Sequence, residues 1–322
     1  MIRKIASADK KTSDVELIII DNASPNNVEA DIRNVFPDLP VQVKFYRNKI
    51  NVGGNANILR VIEYASADFV LVLGDDDHVL PNSIEKILTQ LEMYPDALFI
   101  NFNTPLPGHT VRTKVVVYEE LLSFLKGIDS FGQIMFISDG LYNIKKIEEG
   151  IRFGTFYQNT CAPGFVSILY AMLLNNGVGQ IVLSNERIID LASTADTKTQ
   201  MSIIPVVEGL GYLAHLNVDA KYLKYLQQSI VSTQKDWLTY QGAFRSLVCD
   251  LHNGVDRKKV FLMHYKILKE YYFLDRSYMK FILRFLLSLS LFSKVLTKCL
   301  LMIAGIMLKR KFSLSDDEKN YC

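Results

Sequence analysis

Three consecutive aspartates, residues 75–77, follow an apolar run of strand-forming residues, DFVLVLG, and end four residues before Pro81. Neighbouring carboxylates repel one another unless a cation lies among them. Oxygen ligands suit Mg²⁺ or Mn²⁺, which proteins commonly hold through one or two carboxylates together with substrate phosphates. The turn therefore predicts a divalent cation that carries a diphosphate. The alternative is a solvated acidic turn before the next helix, where the helix dipole favours negative charge.

A second polar pair, Asp21 and Asn22, follows the apolar run VELIII. Strand-like and helix-like segments alternate over the first hundred residues, which predicts an α/β fold with a doubly wound, mostly parallel sheet. Ligands of such sheets bind outside the carboxyl ends of the strands. We therefore expect this pair and the three aspartates to lie at the same edge of the sheet.

The individual elements follow from hydrophobic periodicity and from turn residues. The predicted strands are residues 15–20 and 41–47, DFVLVL and ALFIN, and the predicted helices are residues 27–36, residues 54–65 and a segment that starts at Pro81. Beyond residue 110 we interpret VRTKVVVY, QIMFIS and QIVLS as strands and CAPGFVSILYAMLLNNG as a helix that stops at Gly177. From about residue 205 the pattern is almost wholly helical.

The first part of the sequence resembles the glycosyltransferases of family 2, which have the GT-A fold. The resemblance rests on ELIIIDNASPNN and on NVGGNANILRVIEYASADFVLVLGDDDHVLPNSIEKIL, and it covers roughly residues 1–105. Each motif alone is a weak signal, but the three turns occur in the family's order and at its spacings. A dehydrogenase or a P-loop NTPase is disfavoured, since neither GxGxxG nor GxxxxGK[ST] occurs.

The resemblance implies a role for each polar residue by position. Asp21, with Asn22 beside it, corresponds to the residue that reads the nucleotide base, and Asp75 to the carboxylate on the ribose side. Asp76 corresponds to the metal ligand, and Asp77 to a neighbouring acid that also binds the metal or orients the donor sugar. The residues that correspond to the lining of the nucleotide pocket are Asn51, Gly53 and Asn57. For the two asparagines, local turn and cap chemistry is an equal alternative.

The implied reaction displaces a nucleoside diphosphate from a sugar by an acceptor hydroxyl, with a carboxylate as the base. The family's usual acidic pair before a helix of the second half is absent, because NTCAPG stands at that place. Asp139 and Asp77 are the remaining candidates for the catalytic carboxylate. A turn aspartate before a glycine is the structural alternative for Asp139.

The family's first strand also has no counterpart, since the sequence begins on what resembles the helix that follows it. We therefore expect a sheet that lacks this strand, with one wall of the nucleotide pocket open. A sheet of this kind leaves backbone donors and acceptors of the neighbouring strands unpaired.

The chain is composed like a folded protein, with 49% hydrophobic and 22% charged residues and a net charge of +2. Residues 276–315 hold eight Lys or Arg and no acid, which leaves 28 basic against 34 acidic residues, a net of −6, in the rest. A basic and apolar tail favours an anionic membrane surface over nucleic acid. Its longest uncharged stretch, residues 299–308, is too short for a bilayer span, which needs about 20 residues. The four cysteines are far apart in the sequence, and the N-terminal residues are polar. Both features favour a cytoplasmic protein, which we expect to lie peripherally on the inner face of the membrane.

The expected domains are a nucleotide-sugar half over residues 1–110, an acceptor half over 111–204, a helical region over 205–275 and a membrane-associating tail over 276–322. The expected function is transfer of a sugar from a nucleoside-diphosphate sugar, with UDP favoured, to a lipid-linked or oligosaccharide acceptor in the synthesis of a bacterial capsule or O-antigen. The resemblance implies inversion at the sugar and dependence on Mg²⁺ or Mn²⁺. The alternative is a truncated, non-catalytic relative that binds a nucleotide sugar or a partner transferase.

Overall fold

A computed structural model of the chain describes residues 15–35, 41–75, 77–104, 111–190 and 204–237, with isolated positions between 258 and 302. The chain divides into two compact units, residues 1–192 and 193–322. The first unit contains both predicted polar groups and all the strands of the described part of the chain.

The first unit alternates strands and helices. Its strands are β1 Glu16–Asp21, β2 Gln42–Arg47, β3 Phe69–Leu71, β4 His78–Val79, β5 Ala97–Asn101, β6 Val116–Glu120, β7 Gly140–Asn143, β8 Val178–Leu183 and β9 Ile189–Asp190. Its helices are α1 Val28–Val35, α2 Gly54–Tyr64, α3 Ser83–Met93, α4 Leu121–Gly127, α5 Gly132–Met135, α6 Ile144–Phe156 and α7 Pro163–Leu174. In the second unit, the described helices include α8 Ile204–Leu213 and α9 Ala220–Trp237.

The central sheet has five strands in the order β3-β7-β5-β8-β6. Strand β5 is buried along its whole length, in keeping with its continuous apolar sequence. It pairs in parallel with β8 and antiparallel with β7, and β7 also pairs antiparallel with β3. Strands β3, β5 and β8 therefore run in one direction, and their carboxyl ends meet at one edge.

Strands β1 and β2 form a separate parallel pair. The Glu16 carboxylate at the start of β1 accepts hydrogen bonds from the backbone N–H groups of Ser66 and Ala67, at 2.7 and 3.1 Å, just before β3 begins. The Lys44 ammonium pairs with it at 2.6 Å. Partial burial alone would raise the pKa of Glu16, but these bonds outweigh burial and lower it to about 2. Strands β1 and β3 therefore start side by side.

Helices α6 and α7 pack closely because small residues lie at their contact. A Cβ atom on Gly150 would collide with the Ser167 carbonyl oxygen, and one on Gly154 would collide with the Ser167 side chain. The rings of Phe153 and Tyr170 stack across the same helix pair, with centroids 4.1 Å apart. This pair packs against β7 and β8 of the central sheet.

The α/β fold expected from the sequence is confirmed, with some elements that the pattern did not predict. QIMFIS is not a strand: it forms α5 and a 3₁₀ turn, Ile137–Asp139. Strand β7 and helix α6 lie where no element was predicted. The domain boundaries stay predictions, and the tail over 276–322 lies outside the described residues apart from single positions. Among the described residues, no helix is long and apolar enough to cross a bilayer.

Candidate functional site

Asp21 ends β1, directly opposite Arg47 at the end of β2. One carboxylate oxygen accepts the backbone N–H of Ser24 at 2.8 Å, and the other lies 2.8 Å from the Arg47 guanidinium. The hydrogen bonds from Ser24, assisted by the charge of Arg47, lower the pKa of Asp21. The carboxylate is therefore ionised at neutral pH and held in a fixed direction, although only 9% of the residue is exposed.

Asn22 organises the loop that precedes α2. Its side-chain oxygen, Oδ1, accepts from the Val52 N–H at 3.0 Å. Its side-chain nitrogen, Nδ2, donates to Asn51 Oδ1 at 3.0 Å and to the Gly53 backbone carbonyl at 3.4 Å. Gly53 has φ of 83°, a left-handed conformation that favours glycine. The amide of Asn22 thus shapes the loop. Asn51 Oδ1 also accepts the Gly53 N–H at 2.9 Å, which is a turn contact of the kind named as the alternative to ligand contact for Asn51.

Asn48 was missed by the sequence analysis, although it completes this network. Its amide nitrogen donates to Asn22 Oδ1 at 2.9 Å and to Asn57 Oδ1 at 2.8 Å, and its carbonyl oxygen accepts from Arg60. A signal was present, because Asn48 follows β2 just as Asn22 follows β1, and the two strands are in register at Asp21 and Arg47. Two asparagines at equivalent positions of paired parallel strands are expected to meet.

The carboxylate turn follows β3 and is anchored at its first residue. The Gly74 N–H donates to Ser138 Oγ at 2.9 Å, and Ser138 is fully buried. Asp75 is exposed, whereas Asp77 is 7% exposed and its N–H reaches the Gly74 carbonyl at 3.4 Å. Asp76 lies outside the described residues. The turn therefore exposes the carboxylate of Asp75 to solvent and buries that of Asp77.

A cavity of about 980 Å³ joins the two polar groups. The predicted site residues that line it are Asp21, Asn22, Asn57 and Asp75. Asn51 and Gly53 are tied to it through Asn22. The structure thus brings together residues that are more than fifty positions apart in the sequence, at the carboxyl ends of β1 and β3.

The donor chemistry of the turn fits a hard divalent cation, because residues 75–77 offer carboxylate oxygens alone. Among the residues that the structure describes, no three His, Cys, Asp or Glu side chains are grouped as metal ligands. Asp76, which the resemblance assigns to the metal, is not among them. The metal-ligand roles of Asp76 and Asp77 stay predictions.

Asp139 lies in the interior and not at the cavity. It is 1% exposed, and its carboxylate accepts the amide of Asn101 at 2.7 Å. Burial raises its pKa well above the ordinary value, with partial compensation from the charge of Arg112. The Arg112 guanidinium also donates to the Ser184 and Asn101 carbonyls, at 2.9 and 3.1 Å. This burial disfavours the predicted role of Asp139 as the base, since no acceptor hydroxyl reaches the carboxylate in this conformation.

Comparison with known proteins finds similarity in the first part of the chain. Residues 1–141 match the family model Glycosyl transferase family 2. A curated relative, the abequosyltransferase RfbV of Salmonella typhimurium, is 27% identical over 96 residues, which cover 30% of this chain and 29% of that protein. The similarity therefore spans less than a third of the relative's length.

Solved structures extend the similarity to most of the chain at the level of the fold. Residues 1–349 of S. aureus TarS superimpose with a TM-score of 0.52 at 12% identity, covering 86% of each chain. A longer TarS structure gives a TM-score of 0.51 at 12% identity, covering 86% of this chain and 52% of that one. The chain therefore shares its fold with a protein of very different sequence.

Proposed function

We propose, from the premise that residues 1–141 form a glycosyl transferase family 2 domain, that the protein transfers a sugar from a nucleoside-diphosphate sugar to an acceptor hydroxyl with inversion. The observation that carries this proposal is the shared cavity of Asp21 and Asp75, at the carboxyl ends of β1 and β3. Ligands of open α/β sheets bind at this edge. The nucleotide would lie between the two carboxylates, with its diphosphate toward the turn over residues 75–77.

The chain's own residues would orient the donor. Asp21 is ionised and held by Ser24 and Arg47. Its carboxylate would therefore accept a hydrogen bond from the nucleotide base in a fixed direction while it also contacts Arg47. The asparagine network keeps the loop over residues 48–53 in one conformation, which lowers the entropy cost of closing it on a ligand. Asp76 would hold Mg²⁺ or Mn²⁺, with Asp77 left as the neighbouring acid, and the ion would supply positive charge to the leaving diphosphate.

We propose that a carboxylate near the turn over residues 75–77 is the catalytic base that takes the proton from the acceptor hydroxyl. Asp139 is buried among Asn101 and Arg112, which favours a positioning role over proton transfer. Asp77 directly follows the proposed metal ligand, and its backbone is bonded to Gly74 within the turn. Both carboxylates are buried, so the ranking rests on position: Asp77 lies in the turn beside the proposed metal ligand, and we place it ahead of Asp139 as the candidate base.

The acceptor is proposed to be a lipid-linked saccharide or an oligosaccharide of a bacterial surface polysaccharide, met at the inner face of the membrane. The name of the curated relative, an abequosyltransferase, supports transfer of a glycosyl group and says nothing of the acceptor. The eight basic residues within 276–315 support contact with an anionic surface. UDP is the nucleotide favoured by the resemblance.

Donor turnover tests this function directly. Purified protein would be incubated with UDP-, GDP- and CDP-sugars and Mn²⁺, and release of the nucleoside diphosphate would be measured with and without a saccharide acceptor. We expect release from one donor class, with a loss of about a hundredfold or more in Asp76→Asn. Binding of a nucleotide sugar without any release would instead support the non-catalytic alternative. No binding of any donor would refute both.

A further inference from the structure

The turn over residues 75–77 lies between two points of the backbone that are held in place. After the turn, β4 pairs antiparallel with β9, with His78 opposite Asp190. Before the turn, the Gly74 N–H donates to Ser138 Oγ at 2.9 Å. The position of the three carboxylates therefore depends on both contacts, and the contact before the turn is made by one side chain.

Gly74 is the residue that leads directly into the three carboxylates. Both of its backbone groups are used, because its carbonyl accepts the Asp77 N–H at 3.4 Å while its N–H is bonded to Ser138. Gly74 lines the cavity together with Asp75, and Ile137, next to Ser138, lines it as well. The hydrogen bond between Gly74 and Ser138 therefore lies at the wall of the proposed donor site.

Ser138 is fully buried in the 3₁₀ turn Ile137–Asp139, and this 3₁₀ turn is bonded to the end of β5. The Phe102 N–H donates to the Asp139 backbone carbonyl at 2.8 Å, and the Asn101 side-chain amide donates to the Asp139 carboxylate at 2.7 Å. Two hydrogen bonds on the residue next to Ser138 thus restrict the movement of its hydroxyl.

Arg112 extends this support to β8. Its guanidinium donates to the Asn101 backbone carbonyl, at the end of β5, and to the Ser184 backbone carbonyl, directly after β8, at 3.1 and 2.9 Å. Its charge also favours the ionised form of the buried Asp139 carboxylate. The ends of two central strands thus fix the 3₁₀ turn that carries Ser138.

We propose that Ser138 is a positioning residue of the donor site, whose hydroxyl oxygen holds Gly74 so that the turn over residues 75–77 is already in place when the cation and the diphosphate bind. This inference rests on the proposed function, because it needs the turn to bind a metal. A turn that is fixed beforehand loses less conformational entropy on binding. The alternative is a hydroxyl that only stabilises the fold, and it predicts no preference for the metal-dependent part of binding.

The test compares Ser138→Ala with Ser167→Ala in the full chain. Both serines are fully buried, and the Ser167 hydroxyl donates to a backbone carbonyl within α7, at 3.0 Å, and not to the turn. The first measurement is hydrogen exchange over residues 73–78 in the metal-free protein. The second is calorimetric titration of UDP with and without Mn²⁺.

We expect exchange over residues 73–78 to be about tenfold faster in Ser138→Ala, since the Gly74 N–H loses its acceptor. The affinity for UDP with Mn²⁺ should fall about tenfold in this variant, because the turn must be ordered on binding, whereas the affinity without Mn²⁺ should stay that of the wild type. Ser167→Ala should match the wild type in both measurements. Ser138→Cys, whose sulfur is a weaker acceptor, should lie between the wild type and Ser138→Ala.

Three results would overturn the proposal and leave the proposed function standing. They are unchanged exchange in Ser138→Ala, faster exchange with an unchanged affinity for UDP and Mn²⁺, and an equal loss of affinity with and without Mn²⁺. A wild-type protein whose UDP affinity does not rise with Mn²⁺ would instead contradict the proposed metal site, and the role of Ser138 would be refuted with it. If Ser138→Ala does not fold, as judged by circular dichroism, Ser138→Cys decides by the same comparisons.

Discussion

At the residue scale, the polar side chains of the site divide into those that shape the backbone and those that remain for a ligand. Asn22 and Asn48 use their amides on each other and on the loop. The resemblance placed Asn51 and Asn57 in the nucleotide pocket, and residue type alone does not distinguish this role from loop formation. The two roles separate once the register of β1 and β2 is known, because register decides which asparagines meet.

Glu16 is expected to make folding depend on pH in a defined acid range. Its folded pKa of about 2 lies below the ordinary value of 4.5, so its contribution to stability is present above pH 4.5 and is lost as pH falls toward 2. Glu16→Gln should reduce the free energy of unfolding by about 1 kcal/mol at pH 7 and less at pH 3. Urea unfolding at the two pH values measures this. An equal loss of unfolding free energy at pH 7 and at pH 3 would show that the charge of Glu16 does not contribute to stability.

Asp139 is expected to support structure and not to take a proton. Asp139→Ala should lower the free energy of unfolding by about 1–3 kcal/mol, because it leaves the buried Asn101 amide without its acceptor. The acid limb of the pH profile of kcat should stay in place in Asp139→Asn. A variant that folds normally but loses this limb would identify Asp139 as the base after all.

At the element scale, long apolar segments were predictable and short ones in the middle of the chain were not. VELIII, ALFIN and the α7 segment are continuous apolar runs, and each forms the predicted element. QIMFIS has the composition of a strand, yet it forms α5 and a 3₁₀ turn because Ser138 and Asp139 bond to Gly74 and Asn101. Such long-range bonds are not visible in a local pattern.

The contact of α6 with α7 is expected to tolerate no added methyl group. Gly150→Ala should destabilise the protein by about 1–3 kcal/mol, because the new Cβ meets the Ser167 backbone, which cannot move aside as a flexible side chain would. Gly54→Ala is the matched control, since a Cβ there meets nothing within 4 Å. Thermal unfolding compares the two. Similar midpoints for both variants would mean that the helices separate without cost.

At the scale of the whole molecule, the order of strands and helices over the first hundred residues was predictable except for the two-residue strand β4, which was not predicted. The division into sheets follows from strand pairing, which the sequence does not specify. The alternation of elements indicated a parallel sheet, and β1 with β2 agrees. Strands β6 and β7 run antiparallel to their neighbours. Short strands of this kind depend on the partners that they meet, and their direction is decided by tertiary contacts.

The basic tail is expected to bind anionic membranes, which is a property of the full chain. The eight Lys and Arg residues within 276–315 contribute about 1 kcal/mol each near such a surface. Full-length protein should therefore co-sediment with vesicles that contain phosphatidylglycerol at low salt, and binding should fall as salt rises. A chain that stays in the supernatant under all conditions would contradict this.

The central claim is a metal-dependent nucleotide site at the carboxyl ends of β1 and β3, and calorimetric titration of UDP with and without Mn²⁺ tests it most directly. We predict affinity at least tenfold higher with Mn²⁺, because a cation offsets the repulsion between the carboxylates and the diphosphate. Asp76→Ala should abolish the gain, whereas Asp96→Ala, a surface carboxylate that is 86% exposed, should retain it. Equal affinity with and without the metal, or an unchanged gain in Asp76→Ala, would contradict the account.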